Sequence, residues 1–270
     1  MNDVIVASPK TSGPKARKMR GWIHRIALTL AVLTPLVFMI AGLGAKFGLW
    51  SWQFGLGTLT RGVGMKLLFA SLIFGVIAIL ATAFITPRKG WWIGLFAVLV
   101  GIGGMAKGAA TQKAVAALPF IHDVTTDTQN PPVFTEVILS ERAKVDGVNS
   151  LDYIGKKDSR DKKLVSALQT SAYPNVRSLV LGDSSDVVFG QALIAAKSMG
   201  WTVKAENVQA GTIEATAETF WYGFKDDVAI RIKPAEGGGS IVDVRSVSRV
   251  GGSDLGANAD RIKAFLAKFS

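Results

Sequence analysis

Cysteine is absent from the 270 residues, and histidine occurs only twice. The lack of thiols excludes disulfides, thiolate metal sites, cysteine nucleophiles and iron–sulfur clusters. It does not identify a compartment, because a chain without thiols suits either redox environment. The sequence also contains no G-x-S-x-G nucleophile elbow, so the most familiar serine-hydrolase signature is missing.

Acidic residues are almost missing from residues 1–113, which hold 13 Lys and Arg against the single acid Asp3. Residues 114–270 hold 18 Lys and Arg against 19 acids, a net charge of −1. The overall charge of +11 therefore belongs to the first part of the chain. Basic residues beside apolar segments set membrane topology, so we expect no nucleic-acid partner.

Polar residues are scarce in three apolar runs, Ile26–Ala45, Met65–Ile85 and Trp91–Met105. A helix needs about 20 residues to cross a bilayer, and the first two runs have that length. The third is shorter, but its helix could continue beyond Lys107, whose side chain can reach the interface. We therefore predict an anchor over residues 22–112 with spans at about 26–45, 65–85 and 91–106, and the lipid bilayer as a partner.

Small residues recur four positions apart in two of the spans. Ser71 and Gly75 lie in the second span, and Ala97 and Gly101 lie in the third. This spacing is typical of helices that approach each other closely in membranes.

The distribution of positive charge predicts the orientation. Residues 1–21 are polar and basic, typical of a disordered cytoplasmic tail. Six Lys and Arg occur up to Arg25, and Arg88 and Lys89 lie between the second and third runs. The positive-inside bias then places the N-terminus in the cytoplasm, and three spans place residues 113–270 outside. In a Gram-negative cell this domain would be in the periplasm, anchored in the inner membrane.

One motif imitates a cofactor site. Gly101–Ala106 fits the G-x-G-x-x-A dinucleotide fingerprint, with Asp123 about 20 residues further on. The fingerprint requires alternating strands and helices, whereas consecutive strands are predicted downstream. We therefore expect no cofactor.

The fold class predicted for the C-terminal domain is α+β, with a four-stranded antiparallel sheet and two main helices. Phe120–Leu139 is predicted to be extended, residues 140–163 a polar surface loop, and Lys162–Thr170 a short helix. The main elements are the helix Val187–Met199, the strands Trp201–Val208, Thr212–Tyr222, Val228–Lys233 and Ser240–Val250, and the closing helix Gly256–Phe269.

Strand alternation divides the predicted sheet into two faces. The apolar face is Val203, Ala205, Ile213, Ala215, Ala217, Val228, Ile230, Ile232, Val242 and Val244. The polar face is Lys204, Glu206, Glu214, Glu218, Arg231, Lys233, Asp243, Arg245 and Arg249. The polar face is either a solvated surface with cross-strand charge pairs or a binding surface for an anionic ligand or an envelope protein.

The candidate ligand-binding residues are Arg231, Arg245, Arg249, Asp254 and Asn258. Ser253 and Asp254 are also typical of a turn that caps the last helix, so a structural interpretation of this pair stays open.

Several segments resemble domain-of-unknown-function family 1499. They are Glu214–Thr219, Gly223–Arg231 and Val242–Arg261, with earlier matches at Ile121–Asp127, Pro131–Phe134 and Ala172–Pro174. The resemblance covers about residues 119–269. It implies a domain type found in bacteria and plastids, and it carries no established activity or catalytic residues.

His122 supports the alternative function, a periplasmic carboxylate- or metal-dependent hydrolase. The candidate catalytic residues are His122, Asp226 and Asp227, and an all-carboxylate ion site could add Asp123 and Asp127. The other histidine, His24, lies at the start of the first span. We favour the binding module and predict no metal, because Asp226 and Asp227 could equally shape a turn.

Overall fold

The computed structural model describes residues 12–269. The chain divides into two compact units, Met1–Lys113 and Ala114–Ser270. Among the described residues, three helices are long and apolar enough to cross a membrane, counting Phe54–Phe84 as one helix. They are α1 (Pro14–Lys46), α2 (Met65–Phe84, preceded by a π-helical segment over Phe54–Gly64) and α3 (Trp91–Ala116).

The first helix begins earlier than the apolar run does. Residues 14–21, predicted to be disordered, form the first turns of α1, where Pro14 occupies a position that suits proline. Residues 1–11 of the predicted tail lie outside the described residues. The basic side chains before Arg25 are therefore carried largely on a helix.

Small residues bring α2 and α3 together, as their spacing predicts. The Ser71 hydroxyl donates a hydrogen bond to the Ala97 carbonyl oxygen over 2.9 Å. A Cβ atom on Gly75 would lie 2.8 Å from the Gly94 carbonyl oxygen, and one on Gly101 would lie 2.9 Å from the Leu68 carbonyl oxygen. Residues 101–106, which imitate a dinucleotide fingerprint, therefore lie within α3, where Gly101 packs against α2.

The second unit contains an antiparallel sheet with the strands β1 (Asp123–Thr125), β2 (Leu179–Leu181), β3 (Thr202–Asn207), β4 (Thr212–Glu218), β5 (Lys225–Pro234) and β6 (Ser240–Ser248). Their order across the sheet is β1-β6-β5-β4-β3, and β2 pairs with residues 240–242 of β6 while β1 pairs with residues 245–247. The α+β class is confirmed, but the predicted number of four strands is wrong. The two extra strands have three residues each, too few to show alternation.

Within residues 114–269, four helices accompany the sheet, α4 (Glu136–Arg142), α5 (Val165–Ala172), α6 (Ser185–Ser198) and α7 (Ala257–Leu266), and a 3-10 turn follows at Ala267–Phe269. The predicted helices before β3 and after β6 correspond to α6 and α7. The prediction of extended chain up to Leu139 is wrong from Glu136 onward, because α4 begins there. Its run of Val137, Ile138 and Leu139 looks like a strand when read alone.

The apolar face of the sheet carries the main core. Ile213, Val228, Ile230 and Val244 are almost fully buried there, together with Ile262 and Phe265 of α7 and Val188 and Ala192 of α6. Phe265 stacks on Trp201 with ring centroids 5.3 Å apart. This face is close to the prediction from strand alternation.

Two residues of β3, Ala205 and Glu206, lie on the opposite face from the one predicted. A β-bulge between Val203 and Ala205 shifts the register of β3, so that Ala205 pairs with Glu214 and Glu206 pairs with Ile213. Because directly paired residues share a face, the shift moves Ala205 to the polar side of the sheet and Glu206 to the apolar side, so both predictions are wrong.

Candidate functional site

The central part of the polar face is covered and not solvated, although Glu218 at its margin is exposed. Glu214, Asp243 and Arg245 have 2%, 0% and 3% of their surfaces exposed. A second small core of Phe134, Ile138, Ala229 and Val247, with Leu151 packed against it, lies on this side. The cover is therefore α4 together with neighbouring segments of residues 126–153, and the interpretation of a solvated face is wrong.

Asp227 stands at the centre of the buried charges. Its carboxylate accepts a hydrogen bond from Arg142 Nη1 over 2.8 Å and one from Arg249 Nη2 over 2.7 Å. The Thr216 hydroxyl donates a third over 2.9 Å. One buried carboxylate thus balances two buried guanidinium groups.

Arg249 extends this cluster toward the surface. Its Nη2 also donates to Glu141 Oε2 over 2.8 Å, and Lys204 Nζ donates to Glu141 Oε1 over 2.8 Å. The hydrogen bonds from Lys204 and Arg249 lower the pKa of Glu141 to about 2. We name Asp227, Arg142, Arg249, Glu141 and Lys204 the Asp227 cluster.

Arg245 has a different carboxylate partner. Its Nε and Nη2 donate to the two oxygens of Asp123 over 3.0 Å and 2.7 Å. The guanidinium lies 5.6 Å from the Phe134 ring centre and 5.7 Å from that of Tyr153. Burial raises the pKa of the Asp123 carboxyl, and the paired Arg245 works against that rise. The pair holds the start of β1 against β6.

Arg231 of β5 is partly exposed and pairs with two carboxylates. It donates to Asp243 Oδ2 over 2.7 Å and to Asp127 Oδ2 over 3.1 Å. Each predicted ligand-binding arginine therefore has its own carboxylate, and the structure does not bring the three guanidinium groups together on an exposed surface. Binding of an envelope protein to this face stays a prediction.

Asp254 and Asn258 lie at the start of α7. The Asp254 carboxylate accepts hydrogen bonds from the backbone N–H groups of Gly256 and Asn258 over 2.9 Å and 3.1 Å. The Asn258 side chain donates to the carbonyl oxygen of His122 and to the Ser248 hydroxyl. These contacts support the capping interpretation, and ligand binding by either residue remains untested.

The candidate catalytic residues do not converge. Asp226 and Asp227 are neighbours on β5, so their side chains project to opposite faces of the sheet. Asp226 pairs with Arg261 of α7, whereas Asp227 pairs with Arg142 of α4. Among residues 12–269, no group of three or more His, Asp or Glu side chains is arranged to hold a metal ion.

A cavity of about 200 Å³ lies where the chain enters the domain. It is lined by Phe120, Ile121, His122, Asp123, Asn149, Lys156, Lys157, Asp158, Ser159, Val165 and Gly252. Asp158 is engaged, because its carboxylate accepts the backbone N–H groups of Arg160, Asp161 and Lys163. Asp123 is engaged by Arg245. Neither Lys156 nor Lys157 forms a salt bridge among the described residues, although the negative charges of Asp123 and Asp152 act on Lys156.

His122 is neutral at physiological pH. Burial, with the positive charges of Lys156 and Arg142, lowers its pKa to about 4. Its Nδ1 atom is buried, and no described residue forms a hydrogen bond with it. Burial also lowers the pKa of Lys156, whose Nζ donates to the Ser150 carbonyl oxygen. His122 was a candidate from the sequence, whereas the two lysines belong to residues 140–163, which were predicted to be a polar surface loop.

The comparisons with known proteins fit this unit. No curated protein matches the chain. Residues 123–269, more than half of the chain, match the family model described as "Protein of unknown function (DUF1499)". The match begins at β1 and ends beside the last helix, so it covers the sheet, both of its faces and most of the cavity lining. The chain therefore belongs to the DUF1499 family.

Proposed function

We propose that this protein is a membrane-anchored binding module that holds its α+β domain in the periplasm and takes a small anionic ligand in the cavity beside His122. The observation that carries the proposal is the charge of the cavity lining. Lys156 and Lys157 line it, and neither forms a salt bridge with a carboxylate among the described residues, while the Asp123 carboxylate is paired with Arg245. A carboxylate or phosphate group would complete this charge balance through charge-assisted hydrogen bonds.

The neutral imidazole suits the same ligand class. A neutral His122 offers one N–H donor and one acceptor, and it adds no charge that would need a counter-ion. The volume of about 200 Å³ admits a small molecule or one charged group of a larger one. The ligand class we infer is therefore a small phosphate or carboxylate compound.

Binding fits the arrangement better than hydrolysis does. A hydrolase of the predicted kind needs His122 and a carboxylate within reach of one substrate. Asp227 is engaged by Arg142 and Arg249, and Asp226 is engaged by Arg261. With its pKa near 4, His122 is also a weak base.

Titration of inorganic phosphate into the full chain in detergent tests the site. We expect Lys156→Met to weaken phosphate binding by about tenfold or more, since a charge-assisted contact is lost. Lys197→Met is the matched control, because Lys197 is exposed on α6, which contributes no residue to the cavity lining. Equal affinities in all three proteins, or no binding of millimolar phosphate by the unchanged protein, would contradict the proposal.

The periplasmic location rests on the positive charges near Arg25 and at Arg88 and Lys89. Because the chain has no cysteine, single cysteines can report it directly. We expect a membrane-impermeant maleimide to label Glu236→Cys in spheroplasts and to label Lys89→Cys only after lysis. The reverse pattern would contradict the orientation and leave the cavity proposal intact.

A further inference from the structure

One face of α1 packs against α2 within the first unit. Ala27 and Ala31 of α1 are fully buried there, in a small core that includes Ala78 of α2. His24 and Arg20 continue this face toward the start of α1, because residues three and four apart lie on one side of a helix. The apolar contact between the two helices therefore ends in two polar side chains.

His24 is held by α2. Its Nε2 atom lies 2.8 Å from Thr82 Oγ1, and the Thr82 hydroxyl donates to the Ala78 carbonyl oxygen over 2.9 Å. Because the hydroxyl hydrogen is already used, His24 Nε2 donates the first of these bonds. A Cβ atom on Gly90 would lie 3.2 Å from the His24 ring. Residues 85–90, which we name the α2–α3 turn, thus approach α1 closely.

Hydrogen bonds hold the α2–α3 turn against the start of α1. The Ser12 N–H donates to Thr86 Oγ1 over 2.7 Å, and the Thr86 N–H donates to Ser12 Oγ over 2.9 Å. Arg20 Nη1 donates to the Ile85 carbonyl oxygen over a longer distance of 3.4 Å. The Arg20 guanidinium therefore lies where α1 meets the α2–α3 turn, and we name this place the α1 junction.

The α1 junction carries positive charge without a counter-ion among residues 12–113. The Arg20 Nε atom is buried and forms no hydrogen bond with a described residue. A guanidinium has five N–H donors, and the bond to Ile85 uses one of them. Arg88 and Lys89 of the α2–α3 turn are exposed and add two further charges. Residues 12–113 contain no Asp or Glu, so this part of the chain has no carboxylate to pair with them.

Tryptophans indicate the depth of the α1 junction in a bilayer. Trp22, Trp91 and Trp92 are all exposed. Trp22 is two residues from Arg20, a rise of about 3 Å along the helix, and Trp91 directly follows the α2–α3 turn. Exposed tryptophans at the ends of apolar helices are typical of the headgroup level of a membrane. Arg20 therefore lies at the depth of the lipid phosphates.

We propose that the α1 junction binds the phosphate group of an anionic phospholipid, with Arg20 as its main contact and Arg88 and Lys89 as further contacts. A guanidinium can donate two parallel hydrogen bonds to one phosphate. Basic pockets between membrane helices bind anionic headgroups by the same chemistry. The lipid supplies the negative charge that residues 12–113 lack. This site shares no residue with the cavity beside His122, and it does not depend on the orientation of the protein.

Native mass spectrometry of the delipidated full chain in detergent tests the lipid site. Phosphatidylglycerol and phosphatidylcholine with identical acyl chains are titrated separately. We expect the unchanged protein to bind phosphatidylglycerol at least about fivefold more tightly, which is the contribution of one basic residue beside an anionic lipid. Arg20→Gln should remove most of this preference.

Arg61→Gln is the matched control. It removes the same charge from an exposed residue that precedes α2, whereas Arg20 contacts the residue that follows α2. The control should keep the preference for phosphatidylglycerol. Equal affinities of the unchanged protein for the two lipids would overturn the proposal. An equal loss of preference in the two variants would overturn it too, because it would indicate a diffuse charge effect.

If Arg20→Gln fails to fold, the double variant Arg88→Gln with Lys89→Gln replaces it, since both side chains are exposed. It should also reduce the preference for phosphatidylglycerol, and an unchanged preference would contradict the site. Inorganic phosphate should bind Arg20→Gln, or this replacement, as tightly as it binds the unchanged protein, because the cavity residues are retained. A loss of phosphate binding would show that the α1 junction takes free phosphate and would contradict the assignment to a lipid.

Discussion

The two faces of the sheet are both buried, yet opposite kinds of side chain bury them. One face packs Ile230 and Val244 against apolar helices α6 and α7. The other places Asp227, Arg245 and Arg249 under α4 and its flanking segments. Strand alternation reveals which residues share a face, but it does not reveal whether a polar face meets water. Here the charges neutralise one another inside the domain.

The difference matters for energetics. An apolar face gains free energy from area removed from water, about 25 cal/mol per Å². Buried ion pairs add little net stability, because desolvation offsets their attraction. Removing one partner, however, leaves the other charge buried and unpaired, which is costly. The polar face should therefore tolerate single substitutions worse than the apolar face does.

Asp227→Asn should have the largest effect. It removes the charge that balances Arg142 and Arg249, so we expect the free energy of unfolding to fall by about 3–5 kcal/mol. Hydrogen exchange of the β5 and β6 amides in the full chain measures this change. Asp260→Asn removes only an exposed pair with Lys263 and should cost about 0.5 kcal/mol or less. Similar costs for both variants would contradict the buried-cluster account.

Ile230→Ala tests the apolar face at the same depth in β5. We expect a loss of about 3 kcal/mol from the transfer and cavity terms, measured by the same hydrogen exchange. The control Ile230→Val removes one methylene group and should cost about 1 kcal/mol. A loss larger than that of Asp227→Asn would reverse the ranking of the two faces.

His122 sharpens the comparison, because it is a buried polar group without an acidic partner. Its folded pKa, about 4, lies below its ordinary value of 6.5. The unfolded chain therefore takes up a proton first as the pH falls. Above about pH 6.5 His122 does not reduce the free energy of unfolding, and its cost grows progressively as the pH falls toward 4.

We expect His122 to reduce the free energy of unfolding by about 2 kcal/mol between pH 7 and pH 5. Thermal unfolding of the full chain across this range measures the loss. His122→Gln has no titrating ring and should lose correspondingly less stability over the same interval. An unchanged pH dependence in this variant would show that another group is responsible.

Lys204→Ala should have the smallest effect of the substitutions on the polar face. The Lys204–Glu141 pair lies at the rim, with side chains 26% and 30% exposed. We expect a loss of about 0.5–1 kcal/mol by hydrogen exchange, and the loss should shrink in high salt. Lys197→Ala, an exposed lysine on α6, serves as the baseline. If Lys204→Ala lowered the free energy of unfolding as much as Asp227→Asn does, the cost of a substitution in the Asp227 cluster would not depend on burial.

The sequence predicts the elements with strong periodicity. The alternation in β4, β5 and β6 and the helical spacing in α6 and α7 all lead to observed elements near the expected bounds. The small residues Ser71 and Gly101 also lie where their spacing predicts, at the contact between α2 and α3. These features are local, so a single sequence carries them.

The remaining features depend on distant contacts. The helix α4 has only seven residues, and its role as a cover depends on Arg142 reaching Asp227, 85 positions away. The bulge that moves Ala205 leaves no pattern in the residues of β3. The cavity combines His122 with a lysine from a loop that looks solvated in sequence. Long-range partners of this kind do not show in periodicity.

Hydrogen exchange of the full chain with and without inorganic phosphate tests most directly the claim that the cavity binds the ligand while the polar face is structural. We predict slower exchange at residues 120–123 and 156–159, which line the cavity, and unchanged exchange across β5 and β6 and at Arg249. Protection centred on those strands, with none at the cavity, would contradict the account.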